Sequence, residues 1–251
     1  TTNAGNIWQW NGGANTFQQG GGTLAAQAVV SAGFSEELSI YVLGGMSIGS
    51  LIASYAVAPA TGTVRATATL ADGNSKITWL AMVGSTLLIF TERGIWTCSN
   101  PMALAANVVV TPTYPELAQF SVDNGRNAVT WGQKVYAPIG NALYEIDSGL
   151  GITPVGLERL VELGQTFGAP TAFAADAFFG YFTTYDGTDT YLWKFGTWTN
   201  PEERNAASWQ FTSGIHGWLA KWTSKKATAM FVSDIGATSP QKYLYVGFNN
   251  G

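Results

Sequence analysis

The chain has 251 residues, 46% of them hydrophobic, 13% aromatic and only 11% charged, with a net charge of −4. The charged share is about half that of an ordinary soluble domain, and the basic residues are scattered, with Lys225-Lys226 the one adjacent pair. That excludes nucleic-acid reading, because neutralising phosphates takes clustered Lys and Arg.

In chain order, Asn6–Trp10 reads as a strand, and Ile40-Tyr41 sits in a second apolar run. Leu38–Ala60 is the longest apolar stretch, but Gly44, Gly45 and Gly49 break it, so no membrane span is expected. Strands are expected at Arg65–Leu70 and Ile77–Met82. Leu87–Thr91 follows, turns at Glu92-Arg93-Gly94 and returns as Ile95–Cys98. Val108–Thr111 and Ala128–Trp131 are further strands. Val135–Ala137 turns at Gly140-Asn141 and returns as Ala142–Ile146. Leu157–Leu163 is a single helical turn or an edge strand. Gly180–Thr184 turns through Asp186-Gly187 and returns as Thr190–Phe195, and Ser208–Thr212 and Trp218–Thr223 come next. The last hairpin starts at Met230 and returns as Leu244–Phe248. Asp-Gly and Gly-Asn between apolar runs supply the positive backbone angles that tight hairpins need.

The hairpins repeat. Each return strand carries an aliphatic–aromatic doublet: Ile95-Trp96, Leu143-Tyr144, Leu192-Trp193 and Leu244-Tyr245, with aromatic members 48, 49 and 52 residues apart. Ile40-Tyr41 is a fifth copy, 55 residues upstream of Trp96. A period of about 50 residues marks a propeller blade or another repeated all-β unit. The expected fold is therefore all-β and β-propeller-like, about five blades of antiparallel strands in one domain, residues 1–251. The four hairpins should be equivalent strands of successive sheets, with Phe90, Trp96, Tyr144, Trp193 and Tyr245 buried between them. Bare sheet edges invite association, so Asn6–Trp10 should pair with Leu244–Phe248. Otherwise that last strand pairs with chain beyond Gly251 or with a neighbouring subunit. The chain opens on Thr1, as a processed form or part of something longer would.

Residues able to do chemistry are few. His216 is the only histidine, so neither a His-based triad nor a multi-His metal site can be built. Cys98 is the only cysteine. It excludes a disulfide framework and reads as a small buried hydrophobe. Asp123, Glu145, Asp147, Asp186 and Asp189 could place carboxylates on one rim, as a glycosidase needs, but Asp before Gly is first a turn residue. Asp186-Gly-Thr-Asp189 covers half a calcium loop without the final Glu. Ser121-Val-Asp123-Asn-Gly125 is similar to the Asp-box turn of sialidase-like propellers, yet Trp131 comes too late and the box does not recur. Trp193, Trp198, Trp209, Trp218 and Trp222 form either packing between sheets or a sugar-stacking surface.

The run Leu87–Trp96 resembles the blade strands of β-propeller proteins of tailed-phage virions, of the tail-nozzle and packaged-DNA-stabilisation type. Phe90, Thr91, Arg93 and Trp96 carry the match. The resemblance implies a structural tail or neck component located in the virion, assembled with other virion subunits as a homo-oligomeric ring. It brings no catalytic residue, cofactor or metal. The expectation is thus a scaffold and not an enzyme, with a carbohydrate-binding propeller that holds a glycan as the alternative, and a glycoside hydrolase behind that.

Overall fold

The computed structural model describes residues 8–11, 16–19, 31–35, 40–44, 51–56, 64–71, 75–104, 113–114, 125–140, 142–154, 168–176, 179–196, 218–235 and 241–249. Side chains are described from residue 67 onward within these segments, except at 195–196, 218, 234–235 and 241–242. The chain divides into two compact units, Thr1–Asn124 and Gly125–Gly251.

In the first unit, β1 (Trp8–Asn11) and β2 (Thr16–Gln19) form an antiparallel hairpin. A four-stranded meander follows: β3 (Ser31–Ser35), β4 (Ile40–Gly44), β5 (Leu51–Ala56) and β6 (Val64–Thr69), each paired antiparallel with the next. Then come β7 (Ile77–Val83), β8 (Thr86–Thr91) and β9 (Gly94–Cys98), again in chain order. Beside β9, the Thr113 N–H donates to the Ile95 carbonyl at 2.6 Å, and the Thr97 and Thr113 hydroxyls meet at 3.1 Å. A 3-10 turn, Pro101–Ala103, is capped by the Asn100 side chain, which accepts from the Met102 N–H at 3.0 Å. β3 packs against β7, so the first strands of successive sheets are neighbours.

The second unit repeats the plan. One meander is β10 (Val129–Trp131), β11 (Lys134–Ile139), β12 (Ala142–Ile146) and β13 (Ile152–Pro154). The next is β14 (Ala169–Ala175), β15 (Phe179–Tyr185), β16 (Thr190–Gly196) and β17 (Trp218–Trp222). The last is the hairpin of β18 (Ala227–Ile235) and β19 (Gln241–Phe248). β18 packs against β14, first strand beside first strand once more. Asn127, at φ 65°, ties these strands together: its amide donates to the carbonyls of Thr171 on β14 (3.0 Å) and Thr228 on β18 (2.7 Å). Prolines fall where the ladder tolerates them. Pro170 is at a register shift of β14, and Pro138 lies past the end of the β10 pairing.

The doublets Ile95-Trp96 and Leu192-Trp193 are buried in full, as sheets covered on both faces require when two consecutive residues point opposite ways. On β16, Trp193 points to the β10–β13 sheet and packs with Tyr136, Leu143, Phe173 and Phe182. Leu192 points the other way, into a cluster with Ala172, Ala174 and Met230 against β18–β19. In the first unit, Trp96 joins Leu70, Ile77, Leu80, Met82, Leu87, Ile89, Cys98 and Leu104, all almost fully buried.

Three doublets are equivalent and the others are not. Ile95-Trp96, Leu143-Tyr144 and Leu192-Trp193 lie on the third strands β9, β12 and β16, where Trp96, Tyr144 and Trp193 stand opposite Ile89, Ala137 and Phe182. Leu244-Tyr245 lies on β19, the second strand after β18, and Ile40-Tyr41 on the second strand β4. On β19 the facing is reversed: Leu244 packs toward the preceding sheet, and Tyr245 is 39% exposed. Phe90, Trp96 and Trp193 are buried as expected, whereas Tyr144 is half-buried and Tyr245 is on the surface. A spacing of 52 residues matched the repeat length but not the strand.

The expected strands at 65–70, 77–82 and 218–223 correspond to β6, β7 and β17 within a residue or so at each end. The expectations at Val108–Thr111, Leu157–Leu163 and Ser208–Thr212 lie outside the described residues. The two strands expected to join one another, near residues 6–10 and 244–248, each carry a hairpin partner of their own, β2 and β18.

Candidate functional site

A polar cluster sits at one end of the β14–β17 sheet, where the β15–β16 and β17–β18 turns meet. Asp186 caps its own turn. Its Oδ1 accepts from the backbone N–H groups of Thr188 (2.8 Å) and Asp189 (2.7 Å), and its Oδ2 from the Tyr191 hydroxyl (3.1 Å). The Asp189 N–H contributes most to holding the Asp186 carboxyl below its usual range. Gly187, at φ 101°, takes the bend, and its carbonyl accepts from the Tyr185 hydroxyl at 2.6 Å.

Asp189 is 8% exposed and faces the other turn. Its Oδ2 lies 2.6 Å from the Lys221 Nζ, and its Oδ1 accepts from the Ser224 N–H at 3.2 Å. That contact raises the Lys221 ammonium above its ordinary range. Thr190, fully buried, donates its hydroxyl to the Lys225 carbonyl (2.5 Å) and accepts from the Ala227 N–H (3.1 Å). Asn249 exchanges two bonds with the Lys226 backbone, through its N–H (3.0 Å) and its Oδ1 (3.3 Å). The chemistry of this cluster is that of a latch: it fixes the crossing from β17 to β18. Aromatic rings frame it, with the Lys225 Nζ 5.4 Å from the Phe248 ring centre and Trp222 edge-on to Phe248 at 5.3 Å.

The other carboxylates are also held. Glu145 accepts from the Tyr136 hydroxyl (2.7 Å) and the Lys134 Nζ (2.5 Å). Burial, then the Glu145 carboxylate, push the Tyr136 hydroxyl well above its usual range. Asp147 Oδ1 accepts from the N–H groups of Gly149 and Gly151, each at 2.9 Å. The structure brings Asp186 and Asp189 together in one turn; Glu145 and Asp147 belong to β12 and the turn after it. Asp123 and His216 lie outside the described residues. Among the described residues, no three of His, Cys, Asp and Glu gather as metal ligands would. Cys98 is buried, and that burial raises its thiol pKa, opposite to what a nucleophilic thiolate needs.

Of the five tryptophans proposed for a sugar surface, Trp193 is core and Trp222 is half-buried against Phe248. Trp198, Trp209 and the Trp218 side chain lie outside the described residues. Among the described residues, the exposed aromatics are others: Phe231 (56%), Tyr243 (45%) and Tyr245 (39%), on the face of β18–β19 turned away from β14–β17. Phe231 and Tyr245 stack face to face, 4.6 Å apart and 6° from parallel. Each thus covers one flat face of the other, the kind of face on which a sugar would stack. Sequence reading missed this patch because the period placed Tyr245 in the core. It missed Lys134, Tyr136, Thr190 and Lys221 because single polar residues in strands give no signal of what they face.

No known family model matches the chain, and no curated protein matches it in sequence. Solved structures do resemble it. Sqt1 of Saccharomyces cerevisiae has a TM-score of 0.58 at 12% identity, over 98% of this chain and 65% of that one. A chain of the mitotic checkpoint complex has a TM-score of 0.57 at 14% identity, over 97% and 65%. A chain of the nidogen/laminin complex has a TM-score of 0.54 at 13% identity, over 98% and 83%.

The fold is β-propeller-like. This chain spans about two thirds of the first two of these propeller-like chains, and at such identities the likeness concerns fold alone. The four-strand meanders agree with it, as does the Leu192-Trp193 doublet, buried on both faces of its sheet. No helix among the described residues is long and apolar enough to cross a membrane.

Proposed function

We propose that this protein is a structural component of a tailed-phage particle, an interaction scaffold of the tail or neck that assembles with other virion subunits as a homo-oligomeric ring and turns over no substrate. The observation that carries the scaffold reading is the state of the described candidate carboxylates. Glu145, Asp147, Asp186 and Asp189 all serve as acceptors in turns or ion pairs, and a general acid or base needs a carboxyl group aimed at a substrate. Two of the similar structures are of complexes, the mitotic checkpoint complex and the nidogen/laminin complex, so chains of this fold occur as parts of assemblies. The low charged content, 11%, suits a body whose surface is covered by neighbours.

The virion part of the proposal rests on the run Leu87–Trp96. Its matching residues build the β8–β9 hairpin: Phe90 and Trp96 are buried, and the Thr91 hydroxyl donates to the Gly94 carbonyl (3.0 Å) while accepting from the Arg93 N–H (3.1 Å).

Quantitative peptide mass spectrometry of purified particles, set beside a glycan array on the purified chain, tests the proposal. The expected result is recovery in fixed ratio to tail and neck proteins, with no glycan retained. Absence from particles together with saturable glycan binding would replace it with the lectin alternative.

A further inference from the structure

We draw no further inference here: the strongest candidate, the exposed aromatic patch of Phe231, Tyr243 and Tyr245 on the outer face of the β18–β19 hairpin, is an apolar sheet face and nothing in the structure shows what covers it.

Discussion

Two tryptophans at the same place in two sheets show how a repeat keeps its packing while changing its polar chemistry. Trp193 and Trp96 both stand on third strands, each two residues of register away from a buried threonine on the second strand. The Trp193 Nε1 donates to the Thr184 hydroxyl at 2.9 Å. Thr91, the counterpart, bonds its own turn instead, and among the described residues the buried Trp96 Nε1 has no partner. A buried donor without an acceptor costs stability that a bonded one does not. Replacing each with Phe removes similar ring volume, so the two variants should differ. Trp193→Phe is expected to cost about 1–2 kcal/mol more than Trp96→Phe. Urea midpoints measured side by side check this, and equal losses would mean the hydrogen-bond difference carries no weight.

Tyr136 gives a residue-scale prediction in pH. Its folded pKa is raised above the ordinary value of 10.0, first by burial and then by Glu145. The contribution is therefore fully present below about pH 10 and is lost as pH rises beyond it. Tyr181 and Tyr191 are shifted the same way, so the wild-type protein should weaken steadily in alkali. Tyr136→Phe should lower stability at about pH 8 by roughly 1 kcal/mol. It should also flatten the decline between about pH 10 and pH 11.5. Chemical denaturation across that range would show a parallel decline in both proteins if Tyr136 were not involved.

At the scale of elements, hairpin geometry depends on a few glycines, and not equally. A Cβ at Gly168, which has φ +76°, would lie 1.8 Å from the Tyr185 carbonyl oxygen, where β14 begins its pairing with β15. Gly84, in the β7–β8 turn at φ +56°, has nothing within 4 Å of that position. Gly168→Ala should therefore cost well over about 1 kcal/mol, since strain and clash act together. Gly84→Asn should cost only about a few tenths, because Asn tolerates this region. Thermal unfolding of the two variants distinguishes them, and comparable losses would contradict the turn geometry.

The strands that sequence reading found are those with dense aliphatic and aromatic content, such as β7, β8, β9 and β16. Those it passed over are built from small or polar residues, such as β3 (SAGFS) and β14 (APTAFAA). β14 is central all the same: its alanines allow close packing against β18, and no propensity scale rewards that. The doublet was legible where both-faces burial writes two apolar residues in a row, as at Ile95-Trp96 and Leu192-Trp193. Which strand carried it was not, because the second strand β19 has the same pair of residue types with Tyr245 exposed. The latch at Asp189, Thr190 and Lys221 was illegible for another reason: its partners are 35 or so residues apart and meet only once the sheets have packed.

At the scale of the whole molecule, the fold is β-propeller-like and the proposed role is structural, in a particle. The fold side rests on repeated meanders whose interiors are aliphatic and aromatic. The proposed function rests on carboxylates committed to structure, a low charged content of 11% and the resemblance read in residues 87–96. A cryo-electron microscopy reconstruction of the intact particle tests both together. It should show a rotationally symmetric ring in the tail or neck whose density fits the four-stranded sheets of this chain. A particle without such density, and a purified chain that stays monomeric and hydrolyses a glycoside, would contradict the account.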